Sequence, residues 1–179
     1  MKNLLTLLCA ATLCITLSSC SSDQDIDQLV VIPERIEGTW DLVSFSIEEG
    51  VITSTTSRGS VEEDFTMQGV DFDGYINFTP HPYNYDSQGS FTCEMTIGDS
   101  QEPVIAVEQL DLYFGFGDWD VNGDRLTKHF EEGDSVNFTI TDFSDEFMKV
   151  SYDLVLVEST EEGNITKKGK AYYTLKKRT

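Results

Sequence analysis

Apolar residues in this chain recur at every second position over short runs and almost nowhere at a helical spacing, and that alternation restricts its fold more than any other feature. The first run, Glu37-Gly38-Thr39-Trp40-Asp41-Leu42-Val43-Ser44-Phe45-Ser46-Ile47, sets the pattern. Trp40 and Leu42 share one face of an extended strand, whereas Val43, Phe45 and Ile47 share the other. A strand that changes its apolar face part-way must bend or bulge, as the corner of a barrel requires.

The same grammar continues downstream. Residues 51–57 and 61–68 read as weaker strands, and Val70 to Thr79 as a stronger one, with Gly74, Ile76 and Phe78 facing together. Phe91, Cys93, Met95 and Ile97 alternate with Thr92, Glu94 and Thr96 in a half-buried strand. Val104 to Phe114 reads as one long or two short strands. Trp119 and Val121 face together ahead of Asn122-Gly123, the strongest hairpin signal present, since a tight primed turn needs positive φ at both central residues. Arg125 to Phe130 is then the returning strand. Val136, Phe138 and Ile140 follow, then the long alternation Met148, Val150, Tyr152, Leu154 and Leu156. Lys170 to Lys177 closes the chain, with Ala171, Tyr173 and Leu175 inward. Between two of these strands Pro80 to Gly89 is expected to be a loop, because its two prolines oppose central sheet pairing; Tyr83 and Tyr85 on it are candidates to line a barrel mouth. The fold class expected is all-β: a single antiparallel up-and-down β-barrel of about eight to ten strands, since an open sheet of that size would expose two edges.

Ahead of these strands the chain has a different character. Met1-Lys2-Asn3 carries a positive charge and Leu4 to Leu17 is apolar, yet too short to span a bilayer permanently, so residues 1–19 read as a signal peptide. Its end, Leu17-Ser18-Ser19-Cys20, resembles a bacterial lipobox. That resemblance implies cleavage before Cys20 and acylation of its thiol, which would hold the domain to a membrane by lipid. Residues 20–35 then form an acidic tether, and residues 36–179 the barrel domain. Asp23, Asp25 and Asp27 directly after the cysteine are similar to the export signals of Bacteroidota surface lipoproteins, which implies the outer membrane, on its periplasmic or its outer face; a solvated linker carries such charge equally well. Cys9 and Cys14 leave with the signal and Cys20 goes to lipid, so Cys93 is single in the mature domain and reads as a small buried hydrophobe.

With 32 acidic residues against 12 basic ones, the net charge of −20 makes nucleic acid an improbable partner. The basic residues are also unevenly placed. Lys167, Lys168, Lys170, Lys176, Lys177 and Arg178 crowd into the last strand and its approach.

Several segments in order carry a family resemblance: Gly38-Thr39-Trp40 after the tether, Ile76-Asn77-Phe78-Thr79-Pro80 leading to Ser87-Gln88-Gly89-Ser90-Phe91-Thr92, the run Gly117-Asp118-Trp119-Asp120-Val121-Asn122-Gly123-Asp124-Arg125-Leu126, and the closing Tyr172-Tyr173-Thr174-Leu175-Lys176-Lys177. Together they resemble the lipocalin-like lipoproteins of Bacteroidota over nearly the whole mature chain. The resemblance implies that Trp40 plugs the base of the barrel and that a basic residue of the last strand, Lys176 or Arg178, lies across it. Trp119 is expected to be structural as well.

Asp118, Asp120 and Asn122, with Gly123 following, fit the opening of an EF-hand-type calcium loop. Position twelve of that loop is His129 instead of glutamate, and strands flank it, so the hairpin reading is preferred and the three residues are weak metal candidates. The two histidines, His81 and His129, are accompanied by no Gly-x-Ser-x-Gly nucleophile elbow. No glycine-rich phosphate loop is present. No enzyme activity and no cofactor are expected. The expected function is a membrane-anchored barrel binding a small apolar or amphipathic ligand inside; the alternative is a solid barrel that docks another protein of the cell envelope.

Overall fold

The change of face in the first run is accommodated by bulges. In the computed structural model, which describes residues 29–130, 134–161 and 163–179, strand β1 (Gly38–Thr56) slips register against the last strand between Leu42 and Ser44, and again between Ile47 and Gly50. The first slip turns Val43 out to solvent and points Trp40, Leu42, Phe45 and Ile47 all inward. An extra residue thus restores the direction that strict alternation would have lost, and it tightens the local twist. The expected signal peptide, Cys20, Asp23, Asp25 and Asp27 lie outside the described residues.

The other strands are β2 (Gly59–Thr79), β3 (Asn84–Ile97), β4 (Val104–Gln109), β5 (Phe116–Asn122), β6 (Arg125–His129), β7 (Ser135–Phe143), β8 (Phe147–Thr160) and β9 (Gly163–Lys177). All pair antiparallel. The order β1-β2-β3-β5-β6-β7-β8-β9 returns to β1 and closes a ring of eight, with β4 attached to the outer half of β3. The chain is therefore an all-β, barrel-like fold, as its alternation requires. A hairpin forms at this point, but one residue later than expected: Asn122 pairs with Arg125, the two turn residues are Gly123 and Asp124, and of the expected pair only Gly123 has positive φ, at 65°, as a turn with glycine at its first central position requires.

Two expectations about local structure need correcting. Only residues 80–83 leave the ladder after β2, because each proline removes no donor but its own; Tyr85 already pairs with Phe78 inside the sheet. Val104 to Phe114 is not continuous strand either. Past Gln109 the chain turns through a short 3₁₀ segment, Leu110–Leu112, which buries Leu110, Tyr113 and Phe114 and leaves Leu112 outside.

One end of the ring is shut by a short helix, α1 (Pro33–Ile36), whose proline occupies the first turn, where no amide hydrogen is needed. Ile36 is fully buried and its carbonyl accepts the Trp40 indole N–H at 2.6 Å. Val31 bridges to Gly123 and is buried too, so the packed body starts upstream of residue 36. The cation over Trp40 is Lys177, at 5.1 Å from the ring, and it also donates to the Arg35 carbonyl. Neither expected partner is there: Lys176 lies over Phe147, and Arg178 pairs with Asp41 and covers Tyr75. Register decides this, because Trp40 sits directly opposite Lys177. Lys177→Met is expected to lower the unfolding free energy by roughly 0.5–2 kcal/mol. Lys176→Met should stay within about 0.5 kcal/mol of the parent. Urea midpoints on the two variants distinguish them.

Candidate functional site

The interior of a barrel is where a carrier would hold cargo, and here aromatic side chains occupy it. Phe45 packs against Phe91, Tyr113 and Tyr173 with centroids 5.1–5.6 Å apart. Phe114 stacks on Phe138 at 5.4 Å and meets Tyr173 edge-on at 4.8 Å. Tyr113 and Phe114 do not belong to the wall. They come from the 110–115 segment, which leaves the sheet after β4, dips between the strands and exits through Gly115 at φ 64°, a conformation costly for other residues.

A segment buried in this way carries carbonyls that no strand can pair. Lys128 supplies the donors. Its alternation with Leu126 on β6 turns it inward, and its ammonium donates to the carbonyls of Tyr113 and Phe114 at 3.2 and 2.5 Å. The rings of Tyr85, Phe114, Phe130 and Phe138 surround it at 4.9–5.4 Å. Lys128 is 1% exposed, and among the described residues no carboxylate forms an ion pair with it. Burial without a counter-charge pushes its pKa down to about 7. Nothing in the reading of the strands singled this lysine out, although a cation at an inward position of an alternating strand was a readable signal.

The same burial raises the acidic groups nearby. Cys93 is pushed up to about 12, by desolvation first and by Glu108 next. It is an inert thiol, as its alternation suggested. Tyr113 is held well above the usual phenol range by burial and by the Glu108 carboxylate beside it.

Of the candidate mouth residues, Tyr85 is 2% exposed and faces Phe78 and Lys128, while Tyr83 is half-buried against Trp119. Trp119 is buried, donating its indole N–H to the Thr79 carbonyl. Asp118, Asp120 and Asn122 lie along extended β5 with their side chains away from the core. Asp118 accepts from the Asn84 amide and Asp120 meets His129 at 2.6 Å. An EF-hand loop wraps its ligands around the ion, and an extended strand cannot do so.

The depressions among the described residues include two that adjoin each other along β1, β2 and β3, of about 560 and 500 Å³, and share Glu48, Thr66 and Thr96. A third, of about 370 Å³, lies beside Gly117, His129 and Phe130.

The other end of the ring is built differently from the Trp40 end. β7 pairs with β8 only as far as Ser151, so among the described residues β8 has a neighbour on one side alone from Tyr152 to Thr160. Among the described residues β4 likewise pairs only with β3. Above the level of the plug the wall therefore consists of β4, β3, β2, β1, β9 and β8, with two free edges. Val104, Ile105 and Val107 on one edge, and Val155 and Val157 on the other, are more than half exposed.

Comparisons with protein-family models, with curated proteins and with solved structures found no match to this chain.

Proposed function

We propose that this chain is a non-catalytic interaction module of the bacterial cell envelope, anchored by lipid on Cys20 and built on a lipocalin-like barrel with a solid interior. The observation that supports this reading is the plug. Tyr113 and Phe114, held by Lys128, stand where a small apolar ligand would have to sit. Cargo could enter only if residues 110–115 left the barrel, exposing Leu110, Tyr113 and Phe114 and leaving Lys128 without its two acceptors. Removing that much apolar surface from the core costs about 1.5–3 kcal/mol for each large side chain.

The open end, by contrast, offers unpaired backbone and exposed valines without any rearrangement. Its chemistry is that of recognition by another chain.

Mass spectrometry of small molecules released from the natively purified full chain tests the reading. No apolar species near one equivalent is expected. A stoichiometric lipid or other apolar compound would overturn the module and restore the carrier.

A further inference from the structure

We propose that β4, Val104–Gln109, is a docking edge for an extended segment of another protein that is apolar at its centre and flanked by lysine or arginine. This deepens the interaction-module reading and rests on it.

A strand at a sheet edge presents a row of amides and carbonyls ready to pair, and proteins commonly blunt such edges with lysine, proline or a bulge. β4 carries none of these within Val104-Ile105-Ala106-Val107, and no register slip interrupts its pairing with β3. Its side chains are uncovered on both faces, at 53% for Val104, 64% for Ile105 and 67% for Val107. An added strand would lie about 4.8 Å away, pair with the free backbone groups and cover valine and isoleucine above and below the sheet.

Charge selects the occupant. The stretch from Gly98 to Gly115 contains Asp99, Glu102, Glu108 and Asp111 and not one lysine or arginine. Glu94 on β3 stands directly beside Ile105 and adds a further carboxylate. A second copy of this chain pairing β4 against β4 would bring the same acidic edge, and a net charge of −20 besides. Like charges placed directly opposite destabilise strand pairing. A segment with basic flanks gains attraction at both ends of the same edge.

The test uses the full chain and three synthetic peptides: an alternating Val-Thr segment with lysines at both ends, the same segment with glutamates at the ends, and the lysine form with proline at alternate positions. Amide hydrogen exchange at Val104–Gln109 is the readout. With the lysine peptide tenfold above its Kd, exchange there is expected to slow about tenfold. The glutamate and proline forms should leave it unchanged, as should the lysine peptide added to an Ile105→Lys/Val107→Lys variant. Both positions are exposed, so an unaltered melting temperature establishes that the variant is folded. Unchanged exchange in the parent, or equal protection in the variant, overturns the proposal. Protection without peptide that grows with protein concentration overturns the choice of partner in favour of self-association. Failure here leaves the module reading standing, since that reading is judged by the released small molecules.

Discussion

Phe114→Ala is expected to lower the unfolding free energy by about 3–5 kcal/mol, the cost of deleting a fully buried aromatic ring. Phe114 is 1% exposed, stacked on Phe138, edge-on to Tyr173, and part of the ring cluster around Lys128. Because these neighbours sit on a closed wall of hydrogen-bonded strands, they can collapse only partly into the space vacated, and the residual cavity adds to the lost transfer energy. Denaturant unfolding followed by far-UV circular dichroism measures the loss. A second outcome should accompany it. The space vacated is bounded by the rings of Phe138 and Tyr173 and by the Lys128 ammonium, so benzene, which returns an aromatic face to that cation, is expected to raise the melting temperature of Phe114→Ala and to leave the parent unchanged. A loss below about 1 kcal/mol, outside the range for a packed aromatic ring, would mean that the 110–115 segment does not fill the barrel.

That segment is also where reading the sequence failed most informatively. Leu110, Leu112 and Phe114 alternate, which fits a strand, whereas the residues buried are Leu110, Tyr113 and Phe114, spaced for a tight helical turn. Five residues between an edge strand and two glycines are too few for period alone to decide. Elsewhere local pattern sufficed. The face switch in Trp40-Leu42 against Phe45-Ile47 announced a bulge, and Asn122-Gly123 announced a hairpin to within one residue of its turn, because both depend on a few neighbouring residues. What depends on register across the sheet was not legible. Lys176, Lys177 and Arg178 are equivalent in the sequence; only the pairing of β1 with β9 places Lys177 opposite Trp40. The free edge of β4 was hidden for the same reason, since its exposure follows from β5, not β4, taking the eighth place in the ring.

Lys128 is expected to make stability rise with pH across neutrality, by about 2 kcal/mol between pH 7 and 9. The sign follows from its two states. In the unfolded chain its amine titrates near the ordinary lysine value, and in the folded barrel burial has pushed it down to about 7. Between those values the unfolded state binds a proton that the native state has released, so raising the pH favours the native state. Below pH 7 both states are charged and the full penalty of burying the ammonium remains. Above pH 9 the trend should reverse, because the Cys93 thiol and the buried tyrosines stay protonated in the fold while their unfolded counterparts ionise. A maximum near pH 9 is the result, and urea unfolding at fixed ionic strength across pH 6–10 measures it. In Lys128→Met the rise between pH 7 and 9 should vanish. That variant's absolute stability is set by a separate balance, since it escapes the desolvation penalty but strands the Tyr113 and Phe114 carbonyls, at about 1–3 kcal/mol each. The slope is therefore the decisive quantity. A parent curve that is flat from pH 7 to 9, or a rise that survives in Lys128→Met, would assign the charge to another group and leave the plug held by packing alone.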